Sequence, residues 1–420
     1  MRVWYITMTF PAPSETFACN DVRTLRRAGV CVSVHALRCA HKASERLLRE
    51  RSLDGLDLTH SSRSAIFRGL GVGLRRPKLL VGLLRWILSH SWKKPRHLMA
   101  SLMLVPRSLD LFAGLEYERP DVVHIYWGHY PSLVGYLVLE HLPDVKVSVS
   151  LGAYDLEKRY GGSGEVGRRA HFVRTLAQVN VERIGDYFDI PSDRITVIHD
   201  GIDLQRLHSN GSAIAPEAPT GSTKPATGKV AKRIVTAGRL TVRKGMIDVL
   251  SVFKNVFEQH PDASLVFLGE GPERQRLQEL SERWGLSEAV TFLGHVSHDR
   301  VFGELAKAEV FLFLSKGTGE RLPNVVKEAM ANQCVCVASN TTGMRELIPN
   351  DGYGFVVPIG SIEDATRRVL CALETPGLMD SVGRTAREHI NSHFDLNEAV
   401  QQYICAWERE VPIGESPHNY

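Results

Sequence analysis

Two α/β domains, each a parallel sheet covered by helices, are what this sequence predicts, and three observations carry the prediction. The chain has 420 residues, too many for one ordinary hydrophobic core and suited to two domains of roughly 150–200 residues each. Short β-branched or aromatic runs alternate with amphipathic stretches in both halves, as parallel strands joined by crossover helices require. Between the halves, Ser209 to Lys229 is rich in Ser, Gly, Pro, Ala and Thr and nearly free of large apolar residues. Such a stretch cannot bury enough surface to offset its ordering entropy, so it reads as a flexible connector. A cleft between two domains is a natural place for a ligand.

In the first half, Val3–Thr9 reads as a strand, Glu15–Ala28 as a helix and Val30–Leu37 as a second strand. After an insertion the pattern resumes with a strand over Asp121–Trp127, a helix near Leu133–His141 and a strand over Val145–Leu151. In the second half, strands over Arg233–Ala237, Ser264–Leu268, Val290–Leu293, Val310–Leu314 and Cys334–Ala338 alternate with helices over Gly245–Gln259, Glu273–Trp284, His298–Ala308 and Pro323–Ala331. Leu396–Trp407 makes a last amphipathic helix. The predicted boundaries are a first domain over 1–207, a linker over 208–231, a second domain over 232–394 and a helix with tail over 395–420. No tandem repeat interrupts this order, which excludes a solenoid.

Hydrophobic content of 43% and charged content of 23% are those of a globular protein. The net charge of +4 hides an asymmetry: from Leu58 to Leu109 there is no acid, while Arg63, Arg68, Arg75, Arg76, Lys78, Arg85, Lys93, Lys94, Arg96 and Arg107 all fall there. The rest of the chain is acidic on balance. Leu74, Leu79, Leu80, Leu83, Leu84, Trp86 and Ile87 interleave with those cations, so the insertion reads either as a helix lying on an anionic membrane face or as solvated surface. It holds no nucleic-acid motif, and no nucleic-acid partner is expected. Seven irregularly spaced cysteines form no disulfide framework and fit a reducing cytosol; Cys334 and Cys336 read as buried thiols rather than metal ligands. The amino terminus shows no signal peptide, and the longest apolar stretch, Leu79–Leu88, is too short to span a bilayer. The expected location is cytoplasmic, at the inner face of the plasma membrane.

Two clusters carry chemistry. Thr236-Ala237-Gly238-Arg239-Leu240, followed by Lys244-Gly245, brings a strand end, a glycine, two cations and a helix start together. A diphosphate needs this combination: backbone N–H donors and partial positive charge from the helix start, a bidentate grip from Arg239 and a point charge from Lys244. Glu320-Arg321-Leu322-Pro323-Asn324-Val325-Val326-Lys327-Glu328 places one carboxylate before a helix and another near its second turn. Each can accept hydrogen bonds from paired hydroxyls of a ribose or a hexose. Solvated surface is the plain alternative for any one of these charges. No Gly-x-Gly-x-x-Gly follows the first strand, where Thr9-Phe10-Pro11-Ala12-Pro13 stands, so a nicotinamide dehydrogenase is disfavoured.

Gly-Arg-Leu…Lys-Gly, then Leu268-Gly269-Glu270-Gly271-Pro272, then Phe292-Leu293-Gly294, then Glu-x7-Glu resembles the donor domain of the family-four retaining GT-B glycosyltransferases. Phe10-Pro11-Ala12-Pro13-Ser14-Glu15-Thr16-Phe17, Pro120-Asp121-Val122-Val123-His124, Gly152-Ala153-Tyr154-Asp155 and Val197-Ile198-His199-Asp200-Gly201-Ile202-Asp203 are similar to acceptor-domain segments of its bacterial exopolysaccharide members. The resemblance implies two Rossmann-like domains facing across a cleft, with the last helix crossing back to the first. It implies a nucleotide-diphosphate sugar as donor, UDP- or GDP-linked, and a glycan or lipid-linked acceptor. It implies no metal or other cofactor, Arg239 and Lys244 neutralising the departing diphosphate instead.

By the same resemblance Glu320 orients donor-sugar hydroxyls and Glu328 holds the ribose. Gly238, Gly269, Gly271, Pro323, Asn324 and Val325 line the nucleotide sugar, the loop from Gly317 to Glu320 aims amides at it, and Gly201 shapes a turn beneath it. Glu15, His124 and Asp155 are acceptor-side candidates that could equally be structural. Two departures stand out: Leu151 replaces a histidine common before the strand-end glycine, and Arg321 replaces a glycine after the first glutamate. They keep open an alternative, a catalytically silent relative that binds nucleotide or glycan as an assembly partner.

Overall fold

A computed structural model describes residues 1–12, 16–204, 228–317 and 321–409. The chain divides into two units, Met1–Asp200 with the segment from Leu396 onward, and Gly201–Asp395. The first therefore ends at Asp200 and not at position 207, and Ile202 is already bridged to Asp395 within the second. Most of the expected connector lies outside the described residues. Its last part does not behave as a linker: Val230 N–H donates to the Lys307 carbonyl, and Lys229 Nζ reaches the Asn332 carbonyl at 2.9 Å, both inside the second unit.

The first unit is a seven-stranded sheet of β1 (Arg2–Thr7), β2 (Cys31–Ala36), β3 (Asp57–Thr59), β4 (Val122–Tyr126), β5 (Lys146–Ser150), β6 (Phe172–Thr175) and β7 (Ile195–Val197), ordered β3-β2-β1-β4-β5-β6-β7. Every pairing is parallel. Both faces are covered, as a parallel sheet requires, and the period of two sorts each strand between two cores. Trp4, Ile6, Val123, Ile125, Val147 and Val149 point into one; Val3, Tyr5, Val122 and Tyr126 point into the other.

Three helices, Arg63–Arg75, Pro77–Ser91 and Pro95–Glu118, account for the basic insertion. Pro77 and Pro95 each stand in a first helical turn, where the missing N–H costs nothing. The first and third lie so close that a Cβ on Gly69 would fall 1.7 Å from the Pro106 carbonyl oxygen. Pro95–Glu118 has the length and apolarity of a membrane span, yet Val105, Leu109, Leu111, Phe112 and Leu115 bury its inner face in the core. The insertion is thus part of the folded unit and extends beyond the acid-free window.

The helix Leu396–Glu408 packs on the helix Thr16–Arg27 and closes the second core. Trp407 Nε1 donates to Ser148 Oγ at 2.9 Å, and Lys146 Nζ donates to the Trp407 carbonyl at 2.7 Å. Next to them lies Arg174 of β6, fully enclosed, donating to the Ile198 carbonyl at 2.8 Å and to Asp200 Oδ1 at 2.5 Å, with its guanidinium 5.0 Å from the Tyr403 ring.

The second unit is a six-stranded parallel sheet of β8 (Arg233–Ala237), β9 (Ser264–Leu268), β10 (Val290–Gly294), β11 (Val310–Phe313), β12 (Val335–Ser339) and β13 (Phe355–Val357), ordered β10-β9-β8-β11-β12-β13. Cys334 and Cys336 are buried at β12, and burial pushes both thiols up.

His124, for which an acceptor-side and a structural role were both open, is a core residue of β4. It is wholly enclosed, its Nδ1 lies 2.9 Å from Ser148 Oγ, and Tyr5, Tyr403 and Trp407 surround its ring. Burial, with Arg174 adding to it, lowers its pKa from 6.5 to about 3. Between those two values the unfolded chain holds a proton that the folded chain does not, so stability declines as the pH falls from about 6.5 towards 3. This residue contributes a slope of about 1.4 kcal/mol per pH unit across that window. In urea melts from pH 7 to pH 4, His124→Gln is expected to lose stability less steeply than the wild type; parallel profiles would show that His124 does not titrate on unfolding.

Candidate functional site

In the second sheet the chain moves outward from β8 through β9 to β10, then returns to the other side of β8 with β11. The loops leaving β8 and β11 therefore diverge at their carboxyl ends, and a crevice at such a switch point is where open α/β sheets take ligands. Both clusters singled out from the sequence lie on these two loops.

After β8 the backbone turns at Gly238 (φ +149°), and after β9 at Gly269 (φ +138°). Neighbouring turns approach too closely for side chains: a Cβ on Gly269 would fall 2.0 Å from the Gly238 oxygen, and one on Gly271 would fall 2.2 Å from the Leu240 oxygen. Hydrogen bonds lace the three turns, Gly238 N to the Leu268 carbonyl (2.9 Å), Leu240 N to the Glu270 carbonyl (2.9 Å) and Gly269 N to the Gly294 carbonyl (2.8 Å). Glycine lets the backbone itself form this rim.

Arg239 stands on that rim, exposed and without an ion-pair partner among the described residues. Lys244 ends a 3-10 turn, half-buried, with its Nζ 5.6 Å from the ring of Phe313, the last residue of β11. Gly245 takes φ +66° because a Cβ there would meet the Leu314 oxygen at 1.9 Å. Lys316 N–H then donates to the Arg243 carbonyl at 2.8 Å, joining the loop after β8 to the loop after β11. Lys316 Nζ pairs with Asp248, 2.8 Å away. So Arg239 and Lys244 come from one side of the switch point and Leu314–Gly317 from the other.

Glu320 lies outside the described residues, as does the end of the loop from Gly317. Pro323 is extended (ψ 124°) and caps the helix Asn324–Ala331, so the helix begins one residue later than expected. The amides of Asn324 and Val325 lie in its first turn, where no helix carbonyl reaches them. Glu328 follows in the second turn, its carboxylate 9% exposed and its Oε1 2.9 Å from His298 Nε2. His298 begins the helix after β10 and was not anticipated; the one sequence signal for it was its place just past a strand end.

On the first unit Glu15 lies outside the described residues. Asp155 is buried: its Oδ2 accepts from Gly152 N at 3.0 Å at the start of the helix Ala153–Lys158, and its Oδ1 faces His129 Nδ1 at 3.6 Å. It is a capping residue paired with a buried histidine, not a side chain exposed to an acceptor. His129, after β4, was also not anticipated. Leu151 belongs to the core, and Arg321 is 5% exposed with the Gly343 turn packed against its backbone, so neither side chain projects into open solvent. Gly201 opens the second unit.

Two parallel α/β units, the second with a glycine-built rim and cations at its switch point, define a GT-B fold. Over 96% of this chain and 98% of the other, the structure superposes on Anabaena HepE in complex with UDP (TM-score 0.68, 15% identity). The lipopolysaccharide outer core galactosyltransferase WaaB matches over 97% and 99% (TM-score 0.64, 15% identity). Residues 222–389 match the family Glycosyl transferases group 1, and the chain carries a domain of that family. Among curated proteins it is 27% identical to Mycobacterium tuberculosis glycogen synthase over 308 residues, 69% of each chain. It is also 27% identical over 176 residues to the GPI3 subunit of Saccharomyces cerevisiae phosphatidylinositol N-acetylglucosaminyltransferase, 40% of this chain and 38% of that one.

A side chain at position 269 must displace the Gly238 carbonyl. Gly269→Ala is expected to destabilise the second unit by about 2–4 kcal/mol and to remove nucleotide binding. Denaturant unfolding together with calorimetric titration of UDP checks both, and unchanged binding would show that the rim does not contact nucleotide.

Proposed function

We propose that the protein is a retaining glycosyltransferase that moves a sugar from a nucleotide diphosphate to a hydroxyl of a glycan or lipid-linked acceptor, in polysaccharide or glycolipid biosynthesis. The observation that carries this reading is the switch point of the second sheet, where a rim of glycine backbone and two cations follow β8 and a buried carboxylate stands on the helix after β11. A pyrophosphate fits such a rim because side chains are absent and the cations stand beside it. Arg239 and Lys244 stabilise the negative charge that grows on the departing diphosphate, without a metal ion. Glu328 accepts from the ribose hydroxyls, and Glu320 from those of the sugar. The bond from the anomeric carbon to the phosphate oxygen breaks as the acceptor oxygen bonds on the same face. The acceptor proton passes to the leaving phosphate, so no covalent intermediate on the protein is required. The first unit takes the acceptor.

Arg239→Ala, at an exposed position, is expected to lower kcat about 100-fold with no change in unfolding temperature. Glu328→Ala should lower kcat/KM for the donor by about the same factor. Release of nucleotide from a panel of UDP- and GDP-sugars measures both, and full activity in either variant would overturn the assigned site.

We further propose that the three-helix layer of the first unit lies against an anionic membrane, which puts the enzyme at the cytoplasmic face of the plasma membrane. Phe67, Leu74 and Met103 are 72%, 81% and 78% exposed on these helices, and Trp92, just past the second, is 65% exposed. Not all of the basic residues can face lipid: Arg68 and Arg107 pair with Asp110, and Arg76 pairs with Glu116. Arg63, Arg75, Lys78 and Arg85 remain exposed without ion pairs among the described residues. Apolar side chains among unpaired cations suit a surface of anionic headgroups. The seven free thiols agree with a reducing compartment. Replacing Arg63, Arg75, Lys78 and Arg85 by Ser should lower the fraction sedimenting with phosphatidylglycerol vesicles at least tenfold, each cation contributing about 1 kcal/mol; an unchanged fraction would rule the contact out.

A further inference from the structure

Glu328 does not stand alone. Its Oε1 is held by His298 Nε2 at 2.9 Å, across from the helix that follows β11 to the helix that follows β10. The carboxylate is nearly enclosed, whereas the imidazole is 46% exposed. Oε2 has no hydrogen-bond partner among the described residues and is not sealed from solvent. One oxygen is therefore committed and the other is available, which fixes the direction in which Glu328 can accept.

The histidine is itself fixed. Ser297 caps its helix, accepting from Arg300 N at 3.3 Å, and the imidazole lies edge-on to Phe302 at 4.4 Å. Of the two acids on that helix, Asp299 and Glu304, the second is engaged by Arg233 and Arg300. The neighbouring Lys327 is buried with its Nζ 5.6 Å from the Phe394 ring. A histidine so placed gives Glu328 a directional N–H donor.

We infer that His298 is a positioning residue for ribose: by holding Oε1 of Glu328 it turns Oε2 towards the ribose diol of a nucleoside diphosphate, and part of the preference for ribonucleotides over deoxyribonucleotides depends on it. The inference rests on the reading of Glu328 as the ribose acceptor. A carboxylate free to rotate loses more affinity for a ligand that offers two hydroxyls than for one that offers a single hydroxyl. A purely structural role for His298 would weaken both ligands alike.

The test is calorimetric titration of the full chain with UDP and with 2′-deoxy-UDP, repeated with the GDP and ADP pairs where uridine is not the base bound. The wild type is expected to prefer the ribonucleotide about tenfold, the worth of one hydrogen bond to a charged group. Glu328→Ala should bring the preference close to one. His298→Ala should reduce it to about threefold or less, and His298→Gln, whose side-chain amide can also donate to Oε1, should restore most of it. If His298→Ala keeps the wild-type preference, or weakens both ligands equally, while Glu328→Ala abolishes it, the role of His298 is overturned and that of Glu328 stands. If Glu328→Ala also keeps the preference, the ribose reading itself fails. If none of the three nucleotides binds, both fall.

Discussion

The carbonyl oxygen of Gly238 stands 2.0 Å from where a side chain at position 269 would begin, and the organisation of the second unit's edge follows from that closeness. With no side chains between them, the turns after β8, β9 and β10 bond to one another through backbone alone. The rim is consequently narrow, rigid and lined by peptide groups, and Arg239 can stand on it without being drawn into a neighbouring ion pair. Across the switch point the same device recurs at Gly245, where the Leu314 oxygen excludes a Cβ and brings the loop after β11 against Arg243 and Lys244.

The first unit depends on a different constraint. Arg174 is enclosed, and a buried guanidinium is tolerable only when its donors are satisfied. Its partners come from three distant stretches: Ile198 and Asp200 where the chain leaves the unit, Asp21 on the helix Thr16–Arg27, and Tyr403 on the helix that returns. Removal of any one would leave charge stranded among apolar side chains. The returning helix is thus bound by polar satisfaction as well as by the apolar faces of Trp407 and Tyr403.

The strand-helix alternation was legible in the sequence because continuous apolar runs such as Val3–Ile6 and Val310–Phe313 suit strands buried on both faces of a parallel sheet. The glycine rim was legible because turns that approach this closely have no room for a side chain at Gly269 or Gly271. Other features were hidden. Gly161-Gly162-Ser163-Gly164 has poor helix propensity, yet Gly161–Arg169 is helical, because Gly162, Gly164 and Gly167 admit Trp86, Phe188 and Ile190 closely. The pairing of Arg68, Arg76 and Arg107 within the basic window was hidden because their partners, Asp110 and Glu116, lie just beyond it. His124 and Asp155 sat in recognisable segments, but whether a polar residue faces solvent or core depends on strands and helices far away in sequence. His298 and His129 were invisible for the same reason: each acquires meaning only from a carboxylate 30 and 26 residues distant.

The two sheets share one plan, with the order reversing between the first strand of each unit and a later one, but their carboxyl edges are finished in opposite ways. In the second unit the edge is backbone and cation. In the first, side chains close it: a Cβ on Gly152 would fall 2.1 Å from the Trp127 ring, one on Gly128 would fall 2.4 Å from Leu151, and Trp127 itself is held at φ +65°. A bulky residue in the left-handed region is a strained one, retained where surrounding packing over-determines it. His129 and Asp155 are also buried on this unit, their Nδ1 and Oδ1 atoms 3.6 Å apart and without a hydrogen bond among the described residues. The two edges are thus finished differently although both units are built on a parallel α/β plan.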